Sequence, residues 1–151
     1  RIRSWPVAEF ESLRAASFKV AAQSLTSGNE VLIMASKAPL DLTFELRLAA
    51  DAKVKFDFSG LALTYDATAG ELRGGKIRAP VALEEGLLRL RAVVDRTTVE
   101  IFAQDGVVYM PLSHVPRDGV RRITLVSERG QSDLLGVTGY ELESIWKKAK
   151  R

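Results

Sequence analysis

The sequence predicts an all-β fold, an antiparallel sandwich or barrel, on three observations. Apolar residues recur at every second position in stretch after stretch, the period of a half-buried strand. Turn-forming pairs interrupt these stretches at short intervals: Ser27-Gly28-Asn29, Ala69-Gly70, Gly74-Gly75, Glu85-Gly86, Asp105-Gly106, Asp118-Gly119 and Arg129-Gly130. With 151 residues, 46% hydrophobic and 27% charged, the chain has the balance of an ordinary globular domain with a core of its own.

The elements follow in order. "PVAEFESLRAA" tempts a helix assignment but reads better as a linker leading into a strand. Residues 1–14 are therefore taken as linker, 15–146 as the folded module and 147–151 as a basic tail. Strands are expected at Phe18–Gln23 and Glu30–Ala35. "LDLTFELRL" places Leu40, Leu42, Phe44, Leu46 and Leu48 on one face and Asp41, Thr43, Glu45 and Arg47 on the other. "KVKFDFS" turns Val54, Phe56 and Phe58 inward, and "LALTY" continues with Leu61, Leu63 and Tyr65. The parity shifts at Ser59-Gly60, where a turn or bulge fits. "GELRGG" lacks the Lys-Ser/Thr of a phosphate loop and reads as a turn. Lys76–Leu83, Leu87–Val94, Thr98–Ala103, Val107–Leu112, Arg122–Ser127 and Gly139–Trp146 complete the strands, and the final "SIWKKAK" is the second stretch that tempts a helix.

Composition narrows the function classes. Of the net charge of +3, Lys147, Lys148, Lys150 and Arg151 carry the excess; without them 18 basic residues face 19 acidic ones. A basic groove for nucleic acid is not expected. The longest apolar runs, such as Val31–Ala35, fall far short of the ~20 residues of a membrane helix, so no membrane partner is expected. Cysteine is absent, which removes disulfides, thiol nucleophiles and zinc–thiolate sites. Asp51, Asp57 and Asp66 lack the dense spacing of a calcium loop, so neither metal nor cofactor is expected. The chain starts at Arg1, with no initiator Met or signal peptide, which predicts a piece of a longer polypeptide.

"VVDRTTVEIFAQDG", residues 93–106, carries Asp95, Glu100 and Asp105 within fourteen residues. Asp95-Arg96-Thr97-Thr98 suits a type I turn whose first carboxylate bonds nearby backbone N–H groups. Pairing then sets Val94 opposite Val99, Ala92 opposite Ile101 and Leu90 opposite Ala103. Asp105-Gly106 suits a type I′ hairpin, which sets Ala103 against Val108 and Ile101 against Met110. Both turns put the same apolar residues on one face, so that face belongs to the core. The other face carries Arg89, Arg91, Val93, Glu100, Phe102, Gln104, Val107 and Tyr109. Arg91, Phe102 and Tyr109 fall in one row, with Glu100 between Val93 and Pro111 and diagonal to Arg91.

A carboxylate, a guanidinium and two aromatics on a sheet face are the parts of a sugar site. They are equally the parts of ordinary cross-strand pairs, or of a contact with a neighbouring domain. Asp95 and Glu100 share this face at roughly 8–9 Å from strand spacings, inside the range of an inverting glycosidase. Against catalysis, Asp95 has a sufficient turn role and Arg91 is expected to hold Glu100 ionised. His114, the single histidine, lies in a proline-flanked loop with no orienting carboxylate nearby in sequence, and a loop-packing role is expected. Trp5 and Trp146 are read as apolar anchors for the termini or for a neighbour.

"LLRLRAVVDRTTVEIFAQDG" resembles a segment of the C-terminal module of glycoside hydrolase family 32, the invertases, levanases, inulinases and related β-fructosidases. That segment has the form L-R-x-x-V-D-R-S-S-V-E-V-F-x-N-D-G. Thr97 and Thr98 stand here in place of serines and Gln104 in place of asparagine, which keeps the hydroxyls and the amide. "WPVAEFESLR", "LDLTFEL", "LTYDATAGEL" and "YELESIW" follow in the order that the family would have. The resemblance implies a two-sheet, concanavalin A-like (jelly-roll type) β-sandwich docked on a five-bladed propeller, in a secreted or periplasmic setting. The family's catalytic motifs (N-D-P-N, R-D-P and E-C) belong to the propeller, and none occurs here; "RDG" at 117–119 is not R-D-P. The resemblance therefore implies a fold and a setting, with no catalytic residue in this chain.

Three functions are carried forward. The first is a non-catalytic module of a fructan- or sucrose-hydrolysing enzyme, packing against and stabilising the propeller of the same polypeptide. The second is a fructan-binding module using Arg91, Glu100, Phe102 and Tyr109, with fructan or fructose as ligand. The third is a small self-sufficient glycosidase using Asp95 and Glu100.

Overall fold

The computed structural model describes residues 13–143. Along them run β1 (Arg14–Val20), β2 (Gln23–Leu25), β3 (Glu30–Ser36), β4 (Leu40–Leu48), β5 (Lys53–Phe58), β6 (Leu61–Asp66) and β7 (Glu71–Gly74). They continue with β8 (Ile77–Pro80), β9 (Leu87–Val94), β10 (Thr98–Ala103), β11 (Val108–Ser113), β12 (Arg121–Arg129) and β13 (Ser132–Leu142). One sheet has the order β1-β13-β4-β9-β10-β11, with β2 also paired to β13; the other has the order β3-β12-β5-β6-β7-β8. Every strand pair is antiparallel. The fold is the expected all-β, two-sheet sandwich.

Alternation is what closes it. Leu40, Leu42, Phe44 and Leu46 of β4 are fully buried, as are Val54 and Phe56 of β5 in the other sheet. Phe44 meets Phe56 edge-on across the sandwich, with centroids 5.2 Å apart at 75°. Each such side chain contributes about 1.5–3 kcal/mol through burial. Tyr65 lies inside with its hydroxyl donating to the Val81 carbonyl at 2.7 Å. Burial, and then the charge of Asp66, pushes that hydroxyl's pKa up.

Turn chemistry sets the registers. Ser59 and Gly60 both have positive φ, at 54° and 98°, and form a two-residue hairpin turn that pairs Phe58 with Leu61. The Gly60 N–H is held by Asp57 Oδ1 at 2.7 Å. The expected parity shift is thus a turn rather than a bulge, and Phe56 still faces Leu63 from the core side.

Some boundaries differ from the sequence expectation. "GELRGG" contains β7, because Gly74 lets the Leu112 and Leu63 side chains close over a strand position with no Cβ of its own. The long strand expected at Lys76–Leu83 is only Ile77–Pro80. The last strand begins at Ser132, seven residues earlier than expected, since the register shift between Leu134 and Gly136 hides the alternation. It ends at Leu142 rather than Trp146, of which 144–146 lie outside the described residues. The first strand starts at Arg14, inside the stretch read as linker. Residues 1–12 of that linker, the basic tail, Trp5, Trp146 and "SIWKKAK" lie outside the described residues.

Candidate functional site

The segment 93–106 forms the expected three-stranded meander. Val94 pairs with Val99, Ala92 with Ile101 and Leu90 with Ala103; Ile101 pairs with Met110 and Ala103 with Val108. Asp95 is exposed, and its Oδ1 accepts the Arg96 N–H at 2.7 Å. Asp105 and Gly106 have φ of 57° and 88°, both positive as a type I′ turn needs. These two acids are turn formers.

Gln104, read from sequence only as an outward position, is the clamp of this segment. It is buried and itself takes a positive φ of 51°. Its Oε1 accepts the Arg89 N–H at 2.8 Å, while its Nε2 donates to the Ala82 and Leu87 carbonyls at 2.7 and 2.9 Å. One amide thereby ties the β10–β11 turn to β9 and to the loop between β8 and β9. Gln104→Ala would strand these partners and is expected to cost about 2 kcal/mol, as orphaned buried groups do. Urea unfolding measures it, and a cost near zero would show that solvent replaces the amide.

The outward face of the seven-stranded sheet brings the candidate residues together in two adjacent rows. One runs Tyr140, Asp41, Val93, Glu100, Pro111 and the next Thr138, Thr43, Arg91, Phe102, Tyr109, by register across β13, β4, β9, β10 and β11. The expected row of Arg91, Phe102 and Tyr109 is there, and Glu100 lies between Val93 and Pro111.

The structure changes the bonding of that row. Arg91 is only 3% exposed, and its Nε and Nη2 donate to the two carboxylate oxygens of Asp41, both at 2.8 Å. Asp41, 1% exposed, also accepts from Arg14 Nη2 at 3.1 Å, and the Arg14 guanidinium lies 4.1 Å over the Tyr140 ring. The guanidinium expected to hold Glu100 is thus committed to Asp41. Glu100 instead accepts the Tyr109 hydroxyl at 2.9 Å. Burial, followed by the bond to Glu100 and its charge, pushes the Tyr109 hydroxyl pKa up. The Tyr109 ring, 41% exposed, leans on buried Phe102 with centroids 5.0 Å apart at 36°. Of the four candidates, Tyr109 and half-buried Glu100 face solvent, whereas Arg91 and Phe102 form the floor.

The arrangement limits what chemistry can occur. Asp95 and Glu100 both have ordinary structural partners, the Arg96 N–H and the Tyr109 hydroxyl. A shallow depression lined by Thr43, Glu45, Arg89, Arg91, Phe102 and Asp105 has a volume of about 40 Å³, room for water but not for a sugar ring. Among the described residues no three His, Asp or Glu side chains gather as a metal ion would require. His114 packs its loop: its backbone N–H donates to the Thr97 carbonyl at 3.0 Å, and its ring Nε2 lies 2.7 Å from the Ser59 carbonyl oxygen. A carbonyl only accepts, so Nε2 carries the proton.

The fold is that of domains in several solved enzymes. An exo-inulinase from Aspergillus awamori superposes with a TM-score of 0.70 at 16% identity, over 91% of this chain and 31% of that one. Fructan 1-exohydrolase IIa from Cichorium intybus gives 0.70 at 12%, over 95% and 38%. A fructofuranosidase from Schwanniomyces occidentalis complexed with fructose gives 0.64 at 14%, over 87% and 34%. The chain therefore spans about a third of the length of these proteins, and at such identities the likeness is one of fold. No curated protein matches the sequence. Residues 9–142 match the family model described as glycosyl hydrolases family 32 C terminal, and the chain belongs to that family.

Proposed function

We propose that the chain is the non-catalytic β-sandwich module of a β-fructosidase, a hydrolase of fructan or sucrose, and that it packs against and stabilises a five-bladed propeller of the same polypeptide. The observation that carries this reading is the outward face of the seven-stranded sheet. There the ion-paired cluster Arg14–Asp41–Arg91 lies beside Phe102 and the exposed Tyr109, and the depression among these described residues is only about 40 Å³. An outward surface of aromatic and charged groups with only a shallow depression suits a domain contact better than catalysis. Family membership supports the same reading, as does the chain's coverage of only a third of the solved enzymes.

The exposed Tyr109 ring, oriented by Glu100, also supports the binding reading, in which the same face holds fructan. The two separate by experiment. The chain alone is expected to give no heat on titration with levan, inulin or fructose at millimolar sugar, and no hydrolysis of sucrose or levan. Tyr109→Asp in the full-length enzyme is expected to lower its thermal midpoint by a few degrees while leaving KM unchanged. A saturable heat lost on Tyr109→Ala would establish sugar binding instead. Hydrolysis by the chain alone, abolished by Glu100→Gln, would overturn the non-catalytic reading.

A further inference from the structure

A second buried arginine has no carboxylate of its own. Arg121, the first residue of β12, is 7% exposed. Its Nη1 donates to the Lys37 carbonyl at 2.6 Å, and its Nε is buried without a hydrogen-bond partner. Among the described residues no carboxylate lies within ion-pair distance of it. The contrast with Arg91 is direct. Both guanidiniums are buried, but Arg91 meets both oxygens of Asp41, whereas Arg121 meets a single carbonyl.

The surroundings cancel this charge only in part. Burial depresses the guanidinium pKa; the charge of Asp95, beyond ion-pair distance, raises it, and that of Arg96 lowers it. Asp95 itself is turned to the Arg96 N–H. Lys37 supplies the backbone carbonyl, and Arg122 follows on the opposite face of β12. Arginine does not deprotonate in proteins, so the charge remains and its solvation is lost. A buried cation is normally matched by a hydrogen-bonded anion.

We propose that this end of the sandwich, where the loops following β3 and β9 meet the start of β12, is a receiving site for an oxyanion centred on Arg121. The ligand chemistry is a planar or tetrahedral oxyanion able to take two guanidinium N–H groups, as a carboxylate or sulfate does. It comes either from an Asp or Glu side chain of a companion domain or from a free small anion. The site is separate from the Tyr109 face, and only its companion-domain source rests on the function proposed above.

The test reads the Arg121 Nε–H resonance of the isotopically labelled 151-residue chain during titration with sodium sulfate and with sodium succinate, against sodium chloride at equal ionic strength. The expected result is a saturable shift with both oxyanions and none with chloride, together with a rise in thermal midpoint that Arg121→Met abolishes. Arg121→Met alone is expected to unfold no earlier than the parent in chloride, since it removes an unmatched charge. An Nε–H resonance indifferent to both oxyanions would overturn the proposal, as would an equal response to chloride. If Arg121→Met does not fold, the resonance shift of the parent decides alone. Repeating the titration on the full-length protein distinguishes the sources: a shift kept there identifies a free anion, and a shift lost there identifies a carboxylate of the companion domain.

Discussion

Asp41→Ala is expected to lower the unfolding free energy by about 3–5 kcal/mol, the cost of breaking a buried ion pair from one side. Asp41 neutralises two guanidiniums at once. Arg91 binds both its oxygens at 2.8 Å, and Arg14 adds a contact at 3.1 Å. Arg14 keeps access to water and to the Tyr140 ring, but Arg91 is enclosed and would be left charged in a low-dielectric site. The double variant Asp41→Leu, Arg91→Met removes both desolvation penalties together, and most of the loss is expected to return. Urea unfolding of the two variants is the measurement. A single-variant cost below about 1 kcal/mol, the range of exposed pairs, would show that Arg91 reaches solvent. Since this triad lies beside the Tyr109 surface, the same variant is expected to weaken any contact made there.

Gly130→Ala is expected to cost about 3 kcal/mol, from two separable causes. Gly130 turns the chain from β12 into β13 with φ of 73°, a conformation that costs a side-chain-bearing residue about 1 kcal/mol or more. A Cβ there would also stand 2.8 Å from Ala52 Cα and 2.9 Å from Ala52 N. Those are backbone atoms of a turn that cannot yield easily. The Ala52 N–H donates to the Ala49 carbonyl at 3.0 Å, the Ala49 N–H to the Gln131 carbonyl at 3.0 Å, and Arg129 Nε to the Asp51 carbonyl at 2.8 Å. Gly119, with φ of 72° and nothing within 4 Å of its would-be Cβ, isolates the conformational part. Gly119→Ala is expected to cost about 1 kcal/mol, and the difference in urea midpoints between the two variants measures the clash. Equal costs would mean that the 49–52 turn gives way.

Much of the fold was legible because its signals are local. Two-residue periodicity placed Leu40, Leu42, Phe44 and Leu46 in the core, and the hairpin chemistry of Asp95 and of Asp105-Gly106 set three strands in register. Where the backbone departs from regularity, the pattern misled. The irregularity at Leu134–Gly136 breaks the alternation of β13, and Gly74 hides β7 inside what reads as a turn. The outward row of Arg91, Phe102 and Tyr109 followed from the same registers, but not its bonding.

The sequence by itself determined the all-β class, the turns, the core face and the outward position of Glu100, because each depends on residues within a few positions of one another. Tertiary structure decided which charges meet. Arg91 and Asp41 are 50 residues apart and join only because β4 lies beside β9. Arg121 and Lys37 are 84 apart and join where β12 runs beside β3. Gln104 became a clamp only once the 82–87 segment came within reach of its amide. Periodicity tells a side chain which face it takes, while its partner there depends on strand order, which no local pattern encodes.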